Sequence, residues 1–314
     1  SGDLPSLRER PHQAWVQISV GCNCVCSYCI VPSVRGRESS RPWRAVVDEV
    51  GAQAADGVVE VTLLGQNVNS YGRDLPAGDR RTFAELLTAV AEVPGIERVR
   101  YTSPHPKDIR DDVIAVHRDM PEVCRHIHLP AQSGSTRVLK AMRRTYDRQR
   151  YLDLVGRIRA AVPDIALTTD LIVGFPGEGD ADFADTVSLV REVGFDGAYT
   201  FVYSPRPGTE AGEHMDDDVP ADVKSERISV LIDAVQATAR ERLARHVGTV
   251  QDVLVEGPSR TNPLRLTGRT THNVTVNFTG DALGGAIVPV LIMASTSTTL
   301  AGSLARVPEP AGTT

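Results

Sequence analysis

Trp15-Val16-Gln17-Ile18-Ser19-Val20-Gly21-Cys22-Asn23-Cys24-Val25-Cys26-Ser27-Tyr28-Cys29 is a strand-like run that empties into a loop holding four of the chain's five cysteines. Thiolates are soft ligands, suited to iron–sulfur clusters, zinc or copper. Cys22, Cys26 and Cys29 read C-x3-C-x2-C. Three thiolates on one short loop can hold three irons of a 4Fe-4S cube and leave the fourth open to a small molecule, which makes a cluster a catalyst. A structural zinc site wants four ligands, and no histidine lies between His12 and His105. Cys24 as a fourth thiolate would crowd four ligands into eight residues. An odd total of five cysteines, four of them crowded in one loop, argues for a reducing compartment rather than disulfides.

Outward from this loop the chain alternates. Residues 15–20, 58–64, 99–102, 127–129, 165–173 and 197–203 read as strands. Helices fit residues 45–55, 83–93, 108–117, 147–162 and 181–193, the third with Asp108 as its N-cap. Six strands alternating with helices imply a parallel sheet with right-handed crossovers. In such folds the loops at the carboxyl ends of the strands build the site. Here those ends carry Gly, Pro or polar residues, as in Gly65-Gln66-Asn67, Ser103-Pro104-His105-Pro106 and Gln132-Ser133-Gly134-Ser135.

An acidic loop, residues 213–218, reads as a solvated connection to a long helix at 221–245. Beyond Gly248 the pattern turns to short strands at 250–255, 265–270, 274–278 and 287–293, the signature of a small closed OB-like barrel. The expected organisation is a linker at 1–12, an α/β unit at 13–245, a small all-β barrel at 246–308 and a disordered tail at 309–314.

The 314 residues are 41% hydrophobic, enough for a sizeable core, and 5% aromatic. A net charge of −6 argues against nucleic-acid binding through bulk charge, although a local basic surface remains open. No apolar run of 18 residues or more occurs and no signal peptide is visible, so a cytoplasmic protein without membrane contact is expected.

Several residues invite a site reading. Tyr28 can lie against a flat ligand group or pack in the core. Gln66 and Asn67 offer amides to a zwitterion, or simply turn the chain. Gln132-Ser133-Gly134-Ser135 opens a helix whose N–H groups suit hydroxyls or a carboxylate, or are capped by Ser135. Asp170 lies inside an apolar strand, where a charge is costly unless paired or lining a cavity. His126 and His128 share a strand face, and satisfied rim or core histidines outrank a metal pair. Cys124 reads as a small buried hydrophobe. The series Arg137, Lys140, Arg143, Arg144, Arg148 and Arg150 suits phosphates or a solvated face equally.

Together these strings resemble the radical S-adenosylmethionine enzymes. More narrowly, Val31-Pro32, Arg35-Gly36, Ser40-Arg41-Pro42, Leu64-Gly65-Gln66-Asn67-Val68-Asn69, Thr102-Ser103-Pro104-His105-Pro106, Asp170 to Glu178 and Tyr203-Ser204-Pro205-Arg206-Pro207-Gly208-Thr209 resemble the methylthiotransferases. The strings 255–260 and 268–278 look like a TRAM domain of the tRNA-modifying branch.

The resemblance implies a partial (β/α)6 TIM-like barrel followed by the TRAM barrel. It implies a 4Fe-4S cluster on Cys22, Cys26 and Cys29, with S-adenosylmethionine on the open iron held by Tyr28, Gln66, Asn67, Gln132, Asp170 and Tyr203. Reductive cleavage to a 5′-deoxyadenosyl radical would serve methylthiolation at C2 of an isopentenylated adenosine 3′ of the anticodon. No catalytic side chain beyond cluster and cofactor is implied. The expected partners are a tRNA anticodon stem-loop, gripped by Arg206, Arg260, Arg269 and Asn273, and a one-electron donor such as flavodoxin or ferredoxin. A monomer is expected. The alternatives are a ribosomal-protein aspartate methylthiotransferase and a non-catalytic RNA-binding module with a structural metal. The family also carries an N-terminal domain with a second 4Fe-4S cluster, so this chain is expected to cleave S-adenosylmethionine without completing methylthiolation. Cys24 stands where the family has another residue, as a rival thiol for iron.

Overall fold

A computed structural model describes residue 8 and residues 10–260 and 262–305. The expected tail at 309–314 and most of the linker at 1–12 lie outside the described residues.

Strand β1 (Gln13–Gln17) buries Ala14 and Val16 on one face and leaves Trp15 and Gln17 exposed on the other, the period of two that a pleated strand imposes. Strand β2 (Ser19–Val20) follows and pairs antiparallel with β3 (Ser39–Ser40), so the cysteine loop and helix α1 (Val31–Arg35) are held in one hairpin. Gly21 is obligatory at its entry. It has φ +81°, and a Cβ there would lie 2.2 Å from the carbonyl oxygen of Arg37.

Helix α2 (Trp43–Ala55) leads to β4 (Glu60–Leu64), α3 (Phe83–Ala91) to β5 (Arg98–Tyr101), and α4 (Asp111–Asp119) to β6 (His126–His128). Then come α5 (Thr136–Ala141), α6 (Arg148–Ala161), β7 (Ala166–Val173), α7 (Asp180–Val193), β8 (Gly197–Val202), α8 (Glu210–His214) and the long α9 (Ala221–Ala244). Strands β1-β4-β5 form one parallel sheet and β6-β7-β8 another. Among the described residues one isolated bridge, Val99 to Val123, joins them just ahead of the three-residue β6. The expected parallel array is therefore a half-barrel with a seam in the middle and free edges at β1 and β8.

Outward faces carry Val16, Val61, Leu63, Val99, Ile127, Leu167 and Leu171, all at most 1% exposed and packed under the helices. Inward faces carry Trp15, Thr62, Arg100, His128, Thr168, Asp170 and Tyr199, which line a cavity of about 540 Å³.

Strands β9 (Val250–Pro258), β10 (Leu266–Thr270), β11 (Thr275–Thr279), β12 (Ile287–Ser295) and β13 (Thr299–Leu304) close a barrel in the order β10-β11-β13-β12-β9. Its core is Val253, Val255, Val276, Phe278, Val290, Ile292 and Leu300. The barrel docks on the half-barrel through buried arginines. Arg98 donates to the carbonyls of Arg269 at 2.6 Å and Asp252 at 2.8 Å. Arg100 donates to that of Thr270 at 2.8 Å and pairs with Glu60 at 2.9 Å.

Two expectations need correction. Helix α4 starts at Asp111, and Asp108 does not cap it; its carboxylate takes Arg73 at 2.6 Å and Asn67 Nδ2 at 2.8 Å instead. The acidic connection is exposed, as expected, but Glu213 and His214 close helix α8 rather than lying in a loop, and its carboxylates are tied down. Glu213 accepts from the Gly208 N–H at 2.8 Å, Asp218 from the Gly177 N–H at 2.7 Å, and Asp217 pairs with Lys224.

The latch has a measurable consequence. Arg100→Ala leaves the buried Glu60 carboxylate without its countercharge, with the Gln13 amide still donating to it, a change that costs about 3–5 kcal/mol. Denaturant unfolding is expected to show that loss, and a loss below about 1 kcal/mol would reject the latch.

Candidate cluster and cofactor site

The cysteine loop sits at the carboxyl rim of the half-barrel, held from three sides. The Gly21 N–H donates to Gln66 Oε1 at 2.6 Å, which ties the loop entry to the end of β4. The Ser27 N–H donates to the Met142 carbonyl at 3.1 Å, and the Ser27 carbonyl accepts from the Ala211 N–H at 2.7 Å. Tyr28 stands edge-on to Phe175 with centroids 6.4 Å apart, and Phe175 meets Tyr203 at 5.1 Å. These three rings belong to a small apolar cluster with Val138, Met142 and Ala211.

All five cysteines are free, and the four in the loop are half-buried. Cys22 Sγ accepts from the Cys24 N–H at 3.4 Å, and Cys26 Sγ from Arg144 Nη1 at 3.4 Å. The Cys22 thiol hydrogen-bonds to Cys24 and, with the Lys107 ammonium helping, pulls the Cys24 thiol down to about 6, while Cys22 is pushed up. Cations therefore face the loop where negative charge would gather. Among the described residues no three His, Cys, Asp or Glu side chains converge on one metal position. The fit to an iron–sulfur cluster is one of donor type and surrounding charge, not of pre-set geometry.

Polar atoms beside the loop are left without partners. Ser19 Oγ, Asn67 Oδ1 and Tyr203 Oη are buried with no hydrogen bond among the described residues. Such orphans call for an explanation, and a polar zwitterion such as S-adenosylmethionine satisfies donors and acceptors of this kind.

The expected cofactor residues divide between locations. Gln66 and Asn67 touch the cysteine loop, Asn67 Nδ2 lying 3.7 Å from Cys24 Sγ. Tyr28 and Tyr203 flank Phe175. Gln132 stands at the rim in the left-handed region, φ +69°, where its backbone bridges to β7. A non-glycine residue held there marks stored strain. Asp170 is elsewhere: it faces the cavity and lies 3.3 Å from His128 Nε2.

The expected RNA residues are scattered too. Arg206 and Arg260 are exposed. Arg269 is half-buried, bonded to Glu256 at 3.3 Å and to Asn273 Oδ1 at 3.2 Å, and both it and Asn273 line the cavity. Most of the basic series after Ser135 is engaged internally: Arg137 with Asp182, Arg143 with Glu210, Arg144 with Cys26, and Arg148 with Glu192.

Sequence reasoning passed over Glu60, Arg98 and Arg100, although the argument applied to Asp170 covers any charge within an apolar strand. His126 and His128 prove satisfied, both bonded to Thr168 Oγ1 at 2.8 and 3.0 Å. Burial drives the His105 pKa down to about 2, with Arg144 and Lys107 adding, so its imidazole is neutral at the rim.

Residues 16–190 match the family model of the Radical SAM superfamily. The chain belongs to that superfamily. Residues 244–305 match the TRAM domain model. A tRNA-2-methylthio-N(6)-dimethylallyladenosine synthase of Acetivibrio thermocellus is 50% identical, covering 94% of this chain and 61% of the relative. The protein of the same name in Acidothermus cellulolyticus is 51% identical, covering 92% and 58%. This radical SAM chain thus spans about three fifths of the length of those curated relatives. Among solved structures, coproporphyrinogen III oxidase of Escherichia coli superposes with a TM-score of 0.50 at 16% identity, over 87% of this chain and 68% of that one. The methyltransferase TsrM of Kitasatospora setae gives 0.51 at 18% identity, over 64% and 38%. Both share the fold.

The ligand assignment is open to direct measurement. Cys26→Ala is expected to abolish bound iron after anaerobic reconstitution, whereas Cys24→Ser keeps about four irons per chain. Iron retained by Cys26→Ala would mean that the ligand set is misassigned.

Proposed function

We propose that this chain is the catalytic core of a tRNA methylthiotransferase acting at C2 of N6-dimethylallyladenosine beside the anticodon. The observation that carries the reading is the C-x3-C-x2-C loop at the carboxyl rim of a radical SAM half-barrel that is latched to a TRAM barrel. The names of relatives at 50% and 51% identity support the same substrate and do not favour the ribosomal-protein alternative. In this reading the radical SAM unit spans 13–245 and the TRAM unit 246–308.

When bound, the 4Fe-4S cluster and S-adenosylmethionine supply a 5′-deoxyadenosyl radical for hydrogen abstraction. The chain's own residues bind and orient. Cys22, Cys26 and Cys29 offer the thiolates, and Gln66 pins the loop that carries them. Asn67 and Tyr203 present their unpartnered polar atoms to the cofactor. Tyr28 keeps the loop against Phe175, and Gln132 holds the strained rim. Arg206 and Arg260, exposed and without an ion pair among the described residues, suit phosphates. Arg269 and Asn273 shape the turn that faces the cavity, and Asp170 faces the same space. Among the described residues no helix is long and apolar enough to cross a membrane. A cytoplasmic monomer reduced by a flavodoxin or ferredoxin completes the proposal.

Anaerobic reconstitution tests it. About four irons per chain, and 5′-deoxyadenosine released on adding dithionite and S-adenosylmethionine, are expected. Zinc in place of iron, with no cleavage, would sink the enzyme reading in favour of a structural metal.

A further inference from the structure

The chain has few aromatics, two Trp, seven Tyr and six Phe, yet three of them are left uncovered in one place. Trp15 is 63% exposed, Tyr199 66% and Phe201 48%. Trp15 lies on β1 and the other two on β8, the two free edges of the half-barrel. All three line the same cavity of about 540 Å³. Tyr199 and Phe201 sit two residues apart on one strand face, opposite Asp170 and Ile172 in register. The His128 ring stands edge-on to Tyr199 at 6.0 Å and stiffens that side.

Core packing does not account for them, because their faces are open. The rest of the lining is mostly polar or charged: His128, Thr168 and Asp170 from the half-barrel strands, the Glu60–Arg100 pair, Arg269 from β10 paired with Glu256, and Asn273 from the β10–β11 turn. A site of roughly 300–1,000 Å³ with an apolar wall and a few polar groups suits a small organic moiety with one greasy and one hydrogen-bonding part. The base named in the curated relatives' activity is such a moiety, a purine bearing a branched five-carbon group.

We propose that Trp15, Tyr199 and Phe201 form the wall that receives the N6-dimethylallyl group of the target adenosine and so distinguishes it from unmodified adenosine. The proposal rests on the tRNA reading above and adds the specificity determinant to it. Apolar surface removed from water is the driving force. The polar lining takes the purine edges. The β10–β11 turn closes the far side, so the TRAM barrel helps to shape the pocket.

The test uses the full chain without cluster and two synthetic anticodon stem-loops, identical except for N6-dimethylallyladenosine or adenosine at the target position. Fluorescence titration reads both affinities. Wild type is expected to prefer the prenylated RNA by roughly tenfold or more. Trp15→Ala and Phe201→Ala bring the ratio near one, and Trp15→Phe restores most of it. These side chains are exposed, so circular dichroism is expected to be unchanged. A wild-type ratio retained by both alanine variants overturns the wall. Equal wild-type binding of the two RNAs also overturns it, while radical cleavage stands on its own assay; the aromatics then cover another protein segment. Failure to bind either RNA overturns the wall and the tRNA reading together.

Discussion

A charge inside a parallel sheet has to be paired, or the sheet does not form. Most of the lumen follows from that constraint. Glu60, Arg98 and Arg100 stand on neighbouring strands with 2 to 9% exposure. Gln13 donates to Glu60 at 2.7 Å, Arg100 pairs with Glu60 at 2.9 Å, and both arginines spend their remaining donors on carbonyls of the small barrel. Satisfying buried charge is therefore the same act as docking the second domain. Asp170 answers the constraint differently, by facing the cavity and keeping His128 at 3.3 Å.

The rim obeys another rule. Its backbone is over-determined: Gly21 at φ +81°, Ser103 at +56° and Gln132 at +69° stand at the ends of strands where the chain must turn at once. The cysteine loop borrows rigidity from this rim through Gln66, Met142 and Ala211. Cys24 is drawn into the same network, near Asn67 and Lys107. It shares a proton with Cys22, which pushes the two thiols in opposite directions.

The rim and the lumen meet at Thr102 and Ser103, which line the cavity. None of the loop cysteines lines the large cavity, and neither do Gln66, Asn67 or Gln132. The expected cofactor residues consequently split. Five remain near the rim, and Asp170 joins Arg269 and Asn273 around the space where the target base is proposed to lie. The strand period accounts for the split: side chains two residues apart share a face but sit at different depths.

The order of strands and helices, the thiol donor set and the change to a small β-barrel after Gly248 were all legible in the chain. They depend on local periodicity and on ligand chemistry, which a linear sequence carries in full. Asp108 was misread as a cap because Arg73 and Asn67, its partners, lie 35 and 41 residues away. Trp15, Tyr199 and Phe201 looked like ordinary strand hydrophobics for a similar reason. Whether a residue on an edge strand is covered depends on which edges meet, and the half-barrel leaves β1 and β8 unmet. Sequence alone thus determined the elements and the metal chemistry. Tertiary structure decided which charges became a domain latch and which aromatics became a wall, because both depend on contacts between residues far apart in the chain.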